Sequence, residues 1–250
     1  MQSTDVAWNI TIFQTMLLNL MDHHLWLRIV TCLNLNIRLH ALFPDHRSQC
    51  GKSTFCVNLI NNIKRLCTEP NFHSILRCYS ESSSLPQLPK VQFYKGVPRV
   101  QIAAGEPVLI ILDDLLQDAY SKDVCDLFTK GSHHRNISVI LITQNLFHQS
   151  RFSRDISLNA KYIVIFKSVR DKNQLLYLAR QMYPENSHSL YEQHLDATER
   201  PHGYLLLNLS QDINDLLRFR TDIFNPNCNM VYAAVDNETD QIELPCSACP

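Results

Sequence analysis

Residues 48–54 read Ser-Gln-Cys-Gly-Lys-Ser-Thr and lead directly into an apolar run with helical spacing. Gly-Lys-Ser-Thr before such a run is the second half of a phosphate-binding loop, in which backbone N–H groups and a helix N-terminus hold phosphates. In this pattern Lys52 reaches the β- and γ-phosphates and the Ser53 hydroxyl holds Mg²⁺. The predicted nucleotide-binding residues are Ser48, Gln49, Cys50, Gly51, Lys52, Ser53 and Thr54.

The first glycine of this pattern is replaced. The full pattern places a glycine five residues before Gly51, and this chain has His46 there. Glycine permits backbone angles that are unfavourable for other residues. We therefore expect His46 to force a different turn and to weaken phosphate binding.

The chain has 250 residues, which is enough for one sizeable α/β domain or for one domain plus extensions. The formal net charge is −1, so the overall balance indicates no partner. Residues 129–180 carry a local excess of positive charge, because Lys and Arg greatly outnumber Asp there. This basic region is either a contact surface for a polyanion or a solvated face.

Cysteine usage and the N-terminal sequence predict an intracellular protein. The nine cysteines are scattered and odd in number, and the N-terminus lacks the basic start and small-residue cleavage site of a signal peptide. We expect reduced thiols in the nucleus or cytoplasm and no secretion. No stretch reaches the roughly 18 apolar residues of a membrane span, so no membrane partner is predicted.

Strands alternate with helices over residues 40–210, which predicts a mostly parallel sheet covered by helices. The predicted strands are 74–79, 91–94, 107–112, 137–142, 162–166 and 203–209, and the predicted helices are 54–67, 115–130 and 171–182. Residues 1–47 are predicted to form one or two helices, with a leading strand for the phosphate loop within 35–43. After Thr221 the pattern fades into a tail, whose Cys246-Ser247-Ala248-Cys249 is a weak zinc signal.

Two carboxylates, Asp113 and Asp114, follow the apolar run Val-Leu-Ile-Ile-Leu at 108–112. A parallel sheet places its ligands at the carboxyl ends of its strands. Asp113 is therefore a candidate Mg²⁺ ligand, directly or through water. Asp114 would face the other side of the pleat and is a candidate base toward the attacking water. The alternative is a helix N-cap at either residue.

Three further residues are candidates for hydrolysis of a nucleoside triphosphate. Gln144 ends the next predicted strand and could sense the γ-phosphate or position water; a strand-end hydrogen bond is the alternative. Arg135 and Arg154 are candidate arginine fingers, with surface salt bridges or DNA-phosphate contacts as the alternative.

The block from 127 to 149 carries a resemblance. It reads Leu-Phe-Thr-Lys-Gly-Ser-His-His-Arg-Asn-Ile-Ser-Val at 127–139 and Leu-Ile-Thr-Gln-Asn-Leu-Phe-His-Gln at 141–149. It resembles the packaging ATPases of Polinton/Maverick elements and adintoviruses, which belong to the FtsK–HerA branch of P-loop ATPases. Matching segments are 48–55, 78–79, 110–115, 157–159, 162–166 and 170–171.

The resemblance implies a RecA-like P-loop core, ATP and Mg²⁺ as cofactors, and a homo-oligomeric ring that moves double-stranded DNA into a capsid. Capsid proteins of the element are then partners. By position, Lys52 and Ser53 match the Walker A residues, Asp113 and Asp114 the Walker B pair, and Gln144 the polar residue of the following strand.

The resemblance divides the chain into an atypical N-terminal segment, 1–47, a P-loop ATPase domain, 48–224, and a C-terminal tail, 225–250. Residues 44–47 depart from the family, so 1–47 are interpreted as a foreign exon, part of a degraded element copy or a mispredicted start. Two other functions stay open. One is a non-catalytic nucleotide- or DNA-binding remnant. The other is a different P-loop enzyme such as a kinase, for which no acceptor site or set of lid arginines is evident.

Overall fold

The structure, a computed structural model, describes part of the chain. The described residues are 51–67, 72–80, 90–98, 106–113, 115, 119–131, 136–143, 145–168, 172–226 and 230–234, together with the course of three strands at 17–21, 24–30 and 40–44.

Within these residues eleven strands form one sheet, in the order β1-β2-β11-β10-β9-β8-β3-β7-β6-β4-β5. The strands are β1 (Leu17–Met21), β2 (His24–Val30), β3 (His40–Pro44), β4 (Ser74–Tyr79), β5 (Val91–Lys95), β6 (Val108–Asp113), β7 (Ile137–Thr143), β8 (Tyr162–Phe166), β9 (Tyr204–Asn208), β10 (Phe219–Thr221) and β11 (Met230–Ala234). From β5 to β8 neighbouring strands are parallel. Beyond β8 they are antiparallel.

Helices cover both faces of the parallel part. They are α1 (Lys52–Asn61), α2 (Ile63–Leu66), α3 (Lys122–Asp126), α4 (Ser153–Asn159), α5 (Lys172–Met182) and α6 (Ser187–Ala197), and a π-helical turn (Leu127–Gly131) follows α3. The side chains of α1 and α2 pack on one face, and those of α3 to α6 on the other. This confirms the predicted mixed α/β fold with a parallel sheet flanked by helices. No described helix is long and apolar enough to cross a membrane.

The core strands form because their sequences are apolar without alternation, as strands buried on both faces require. In β6 the residues Val108–Leu112 are all buried, and β8 is buried throughout. Alternate residues of β6 enter the two opposite cores: Leu109 and Ile111 lie on the α1 side, and Ile110 and Leu112 on the other.

Two segments near the ends of the chain differ from what the sequence predicts. One or two helices were predicted within residues 1–47, but 17–21 and 24–30 form an antiparallel hairpin, β1 and β2, so that prediction is wrong for these residues. The segment after Phe224 was predicted to be a tail, yet residues 230–234 form β11, which pairs with both β2 and β10. The pairing of β2 with β11 joins segments near opposite ends of the sequence, and no local pattern reveals such a partner. Strand β1 pairs with β2, which follows it directly in sequence.

The helix predicted over 115–130 is shorter in the structure. It starts at Lys122, where the Ser121 side chain caps it by accepting a hydrogen bond from the backbone N–H of Val124. Asp113 is the last residue of β6 and does not cap this helix.

Candidate functional site

The carboxyl ends of β3, β7 and β6 lie side by side. Pro44 at the end of β3 is opposite Thr143, and Asp113 at the end of β6 is opposite Ile142. Strand β7 is therefore inserted between the strand that precedes residues 48–54 and the strand that carries Asp113. The first helix after β3 is α1, which begins at Lys52.

Gly51 starts α1 in a conformation that favours glycine, with φ of 107°. Its carbonyl accepts the first helical hydrogen bond from Phe55 N–H at 2.7 Å. A Cβ atom at this position would lie 3.1 Å from the Cβ of His202. The turn between α6 and β9 thus packs against the glycine that opens the helix.

The first turn of α1 presents the residues of the predicted loop at the surface. Lys52 and Ser53 are half-buried, and Thr54 is exposed. No acidic side chain lies in this turn. The positive end of the helix dipole is therefore not offset by a carboxylate of the helix's own first turn, as suits an anion-binding helix start.

Aromatic packing holds this turn in place. The Phe55 ring is 4.8 Å from that of Tyr204 and 5.9 Å from that of Phe166, both edge to face. Phe224 completes the group at 4.9 Å. Because Phe166 ends β8 and Tyr204 starts β9, the start of α1 is fixed to the central sheet.

Asp113 forms an ion pair with Arg77 of the neighbouring strand β4. The Arg77 Nη2 donates to Asp113 Oδ2 at 2.5 Å. The Arg77 side chain is fully buried, and that of Asp113 is 13% exposed. One edge of the Asp113 carboxylate is therefore occupied by an internal cation, while part of the side chain stays within reach of solvent.

Cys56 is a fully buried thiol on α1. Burial raises the pKa of its thiol to about 12, the positive charges of Arg77 and Lys52 oppose that rise, and Asp113 adds to it. Lys52, Arg77 and Asp113 thus all lie within electrostatic range of one buried thiol on α1. The thiol itself is neutral at physiological pH.

The backbone after β7 is held by side chains. The Tyr120 hydroxyl lies 2.7 Å from Thr143 Oγ1 and donates to the carbonyl of Asn145. Gln174 Oε1 accepts a hydrogen bond from Leu146 N–H at 2.8 Å. Burial raises the pKa of Tyr120, so its hydroxyl keeps its proton. The residues that flank position 144 are thereby fixed from both sides.

Of the predicted site, Gly51, Lys52, Ser53 and Thr54 lie at the start of α1. Asp113 lies on the face of the sheet that α1 covers. Arg154 is exposed on α4. The other predicted residues lie outside the described part of the chain: Ser48, Gln49, Cys50, Asp114, Arg135 and Gln144, and also His46.

Three residues of the site were not predicted from the sequence. Arg77 could have been noticed, because an arginine within the apolar strand Ile-Leu-Arg-Cys-Tyr needs a buried counter-ion. Tyr120 and His202 carry no such local signal. Their positions depend on contacts across the sheet and at the start of α1.

Two solved structures similar to this one are viral packaging enzymes. The genome-packaging NTPase B204 of Sulfolobus turreted icosahedral virus 2, in complex with ATP-γS, has 13% identity over 74% of this chain and 96% of its own, with a TM-score of 0.46. The DNA-packaging ATPase B204 of Sulfolobus turreted icosahedral virus has 13% identity over 70% and 94%, with a TM-score of 0.46. No protein-family model and no curated protein matches the chain. A likeness this distant does not by itself assign an activity.

Proposed function

We propose that this chain is a P-loop ATPase with a RecA-like core that hydrolyses ATP to move double-stranded DNA into a capsid. The observation that carries the proposal is the position of β7 between β3 and β6. This order separates β3, the strand before the proposed phosphate loop, from β6, the strand that carries Asp113, by one strand. The end of that strand would then face the terminal phosphate of a bound nucleotide. It is the order that we expect of the additional-strand class, to which the FtsK–HerA branch belongs.

ATP and Mg²⁺ fit the groups at this edge of the sheet. Lys52 and the N-terminus of α1 are suited to phosphate. The Ser53 hydroxyl and the Asp113 carboxylate offer the oxygen ligands that Mg²⁺ prefers. When bound, Mg²⁺ would neutralise charge on the phosphates.

Residues of the chain itself would bind the phosphate, accept the proton and orient the attacking water. Lys52 would hold the transferred phosphate, and Asp114 would accept a proton from the attacking water. Gln144 would orient that water, helped by the fixed backbone on either side of it. Arg135 and Arg154 are the proposed sources of an arginine finger from a neighbouring subunit of a ring.

Exposed basic side chains support DNA as the partner. Within residues 129–180 the described exposed cations are Lys130, Arg151, Arg154, Lys167, Lys172 and Arg180. Such a surface would contact phosphates without reading sequence, so binding should weaken steeply as salt rises. Capsid proteins are further proposed partners, and the nucleus or cytoplasm of a host cell is the proposed location.

The experiment is ATP hydrolysis by the purified chain with Mg²⁺, with and without double-stranded DNA. We expect turnover that DNA stimulates and that Lys52→Ala and Asp114→Asn abolish. Lys64→Ala is the matched control, since Lys64 is an exposed lysine of α2. Absence of turnover in the presence of DNA and Mg²⁺ would contradict the proposal.

A non-catalytic remnant is the second candidate, and His46 is the observation that favours it. A histidine at the first glycine position of the loop would weaken phosphate binding. Nucleotide binding without turnover in the unaltered chain, together with turnover in His46→Gly, would establish this alternative. Equal nucleotide affinity in the two proteins would count against any defect at His46.

A further inference from the structure

We propose that Arg77 is a positioning residue that acts as the internal counter-ion of Asp113 and keeps divalent cations from this carboxylate until nucleotide is bound. This role rests on the proposed function, because it takes Asp113 as a ligand of the nucleotide-bound metal.

The register between β4 and β6 places Arg77 and Asp113 next to each other. Tyr79 of β4 is opposite Asp113 of β6, and Arg77 is opposite Ile111. Side chains two residues apart on a strand share a face. Arg77 and Asp113 therefore lie on the same side of the sheet, one diagonal step apart, beneath α1.

The guanidinium of Arg77 is not fully satisfied. Arginine has five N–H donors, and in the described part of the chain its Nε and Nη1 atoms are buried without a hydrogen-bond partner. A buried cation with unpaired donors is unfavourable for folding. An apolar residue would suit this strand better for stability alone, so the charge of Arg77 is better explained by what it does to Asp113.

The local charge balance explains how Arg77 would keep a divalent cation from Asp113 until nucleotide is bound. Arg77 is paired with Asp113 beneath α1, and Lys52 is the first residue of that helix. A divalent cation that arrives alone meets a carboxylate already neutralised by Arg77. A polyphosphate on Lys52 and α1 would bring negative charge, so that metal and nucleotide enter together.

The test measures Mn²⁺ binding by electron paramagnetic resonance without nucleotide. We expect Arg77→Met to bind Mn²⁺ about tenfold or more tightly than the unaltered chain, comparable to the effect of an adjacent charge on proton binding by a carboxylate. Arg77→Lys, which keeps the charge, should resemble the unaltered chain. Asp113→Asn in the Arg77→Met background should remove the gain. Unchanged or weaker Mn²⁺ binding by Arg77→Met would overturn the inference.

Two measurements keep the test decisive if Arg77→Met does not fold. Arg77→Gln retains a donor for Asp113 without the charge, and it should also bind Mn²⁺ more tightly. The second measurement uses the unaltered chain and Asp113→Asn, without any change at Arg77. Micromolar Mn²⁺ binding by the unaltered chain in the absence of nucleotide, lost in Asp113→Asn, would refute the counter-ion role.

Binding of a fluorescent ATP analogue separates this inference from the proposed function. If the analogue binds in a Lys52-dependent way while the Arg77 variants leave Mn²⁺ binding unchanged, the counter-ion role fails and the proposed function stands. If the analogue binds equally well to Lys52→Ala, the proposed function fails, whatever the Mn²⁺ result.

Discussion

The hydroxyl of Tyr120 lies 2.7 Å from the hydroxyl of Thr143, and it also donates to the carbonyl of Asn145. Tyr120 follows β6, and Thr143 ends β7. The contact therefore joins the segments that come after two neighbouring strands of the site. The exposed His148 stacks on the Tyr120 ring, with the two ring centroids 4.6 Å apart.

Removing this hydroxyl should loosen the loop after β7. We expect Tyr120→Phe to lower the free energy of unfolding by about 1 kcal/mol, since buried groups lose a hydrogen bond. ATP turnover should fall more than nucleotide affinity, because the loop flanks the proposed water-positioning residue. Urea unfolding and steady-state kinetics measure the two effects. Tyr177→Phe, at a tyrosine that is 57% exposed, is the control; equal losses in both variants would contradict the role of Tyr120.

Gly51, at the start of α1, and Gly96, directly after β5, form a matched pair of positions for substitution. Both have positive φ, but only Gly51 has close neighbours for an added Cβ. Each Gly→Ala change should lower the free energy of unfolding by about 1–2 kcal/mol through backbone strain. Gly51→Ala should cause a further loss through His202 and should weaken binding of a fluorescent nucleotide. Denaturant unfolding and a binding titration would show this, and the same nucleotide affinity in both variants would refute it.

Phe55 should be the residue of α1 on which docking of the helix depends. It is 4% exposed and lies among three aromatic rings. Phe55→Ala should lower the free energy of unfolding by about 3–5 kcal/mol, as expected for a deleted core phenylalanine. Phe93→Ala on the edge strand β5 is the comparison, because Phe93 is 39% exposed. Urea unfolding measures both variants. If Phe55→Ala lowers the free energy of unfolding no more than Phe93→Ala does, docking of α1 does not depend on Phe55.

His194 should make the fold sensitive to mild acid. Its Nε2 bonds to the carbonyl of Phe166, and its Nδ1 is buried with no hydrogen-bond partner among the described residues. Burial lowers the pKa of His194. The unfolded chain then binds the proton more readily, so the free energy of unfolding should fall as pH drops below about 6.5 toward the folded-state pKa.

His194→Gln should flatten this pH dependence between about pH 7 and pH 5, because the titrating group is gone. Urea midpoints at a series of pH values measure the slope. His188→Gln removes an exposed histidine from the same helix and serves as the control. Identical slopes in the two variants would exclude His194 as the cause.

The sequence alone determined the local elements of the core, and it contains the Gly-Lys-Ser-Thr pattern on which the proposed nucleotide site rests. Strands 74–79 and 162–166 match β4 and β8 residue for residue, because short, mainly apolar segments bounded by turn residues are typical of buried strands. The helix after Gly51 was equally predictable from its apolar spacing and the glycine before it. Helix α6 was missed because its buried face includes Ser189, Gln193 and His194, so no apolar periodicity marks it.

The tertiary structure alone decided the strand order and the partners of the site residues. Periodicity and capping depend on neighbours within a few residues. The insertion of β7 between β3 and β6, however, depends on backbone pairing between distant segments. The same holds for Arg77 and Asp113, which are 36 residues apart in sequence and touch only because β4 and β6 are adjacent. The Gly-Lys-Ser-Thr motif could thus be recognised in the sequence, whereas the counter-ion of Asp113, the carboxylate proposed to bind metal, appeared only in the assembled sheet.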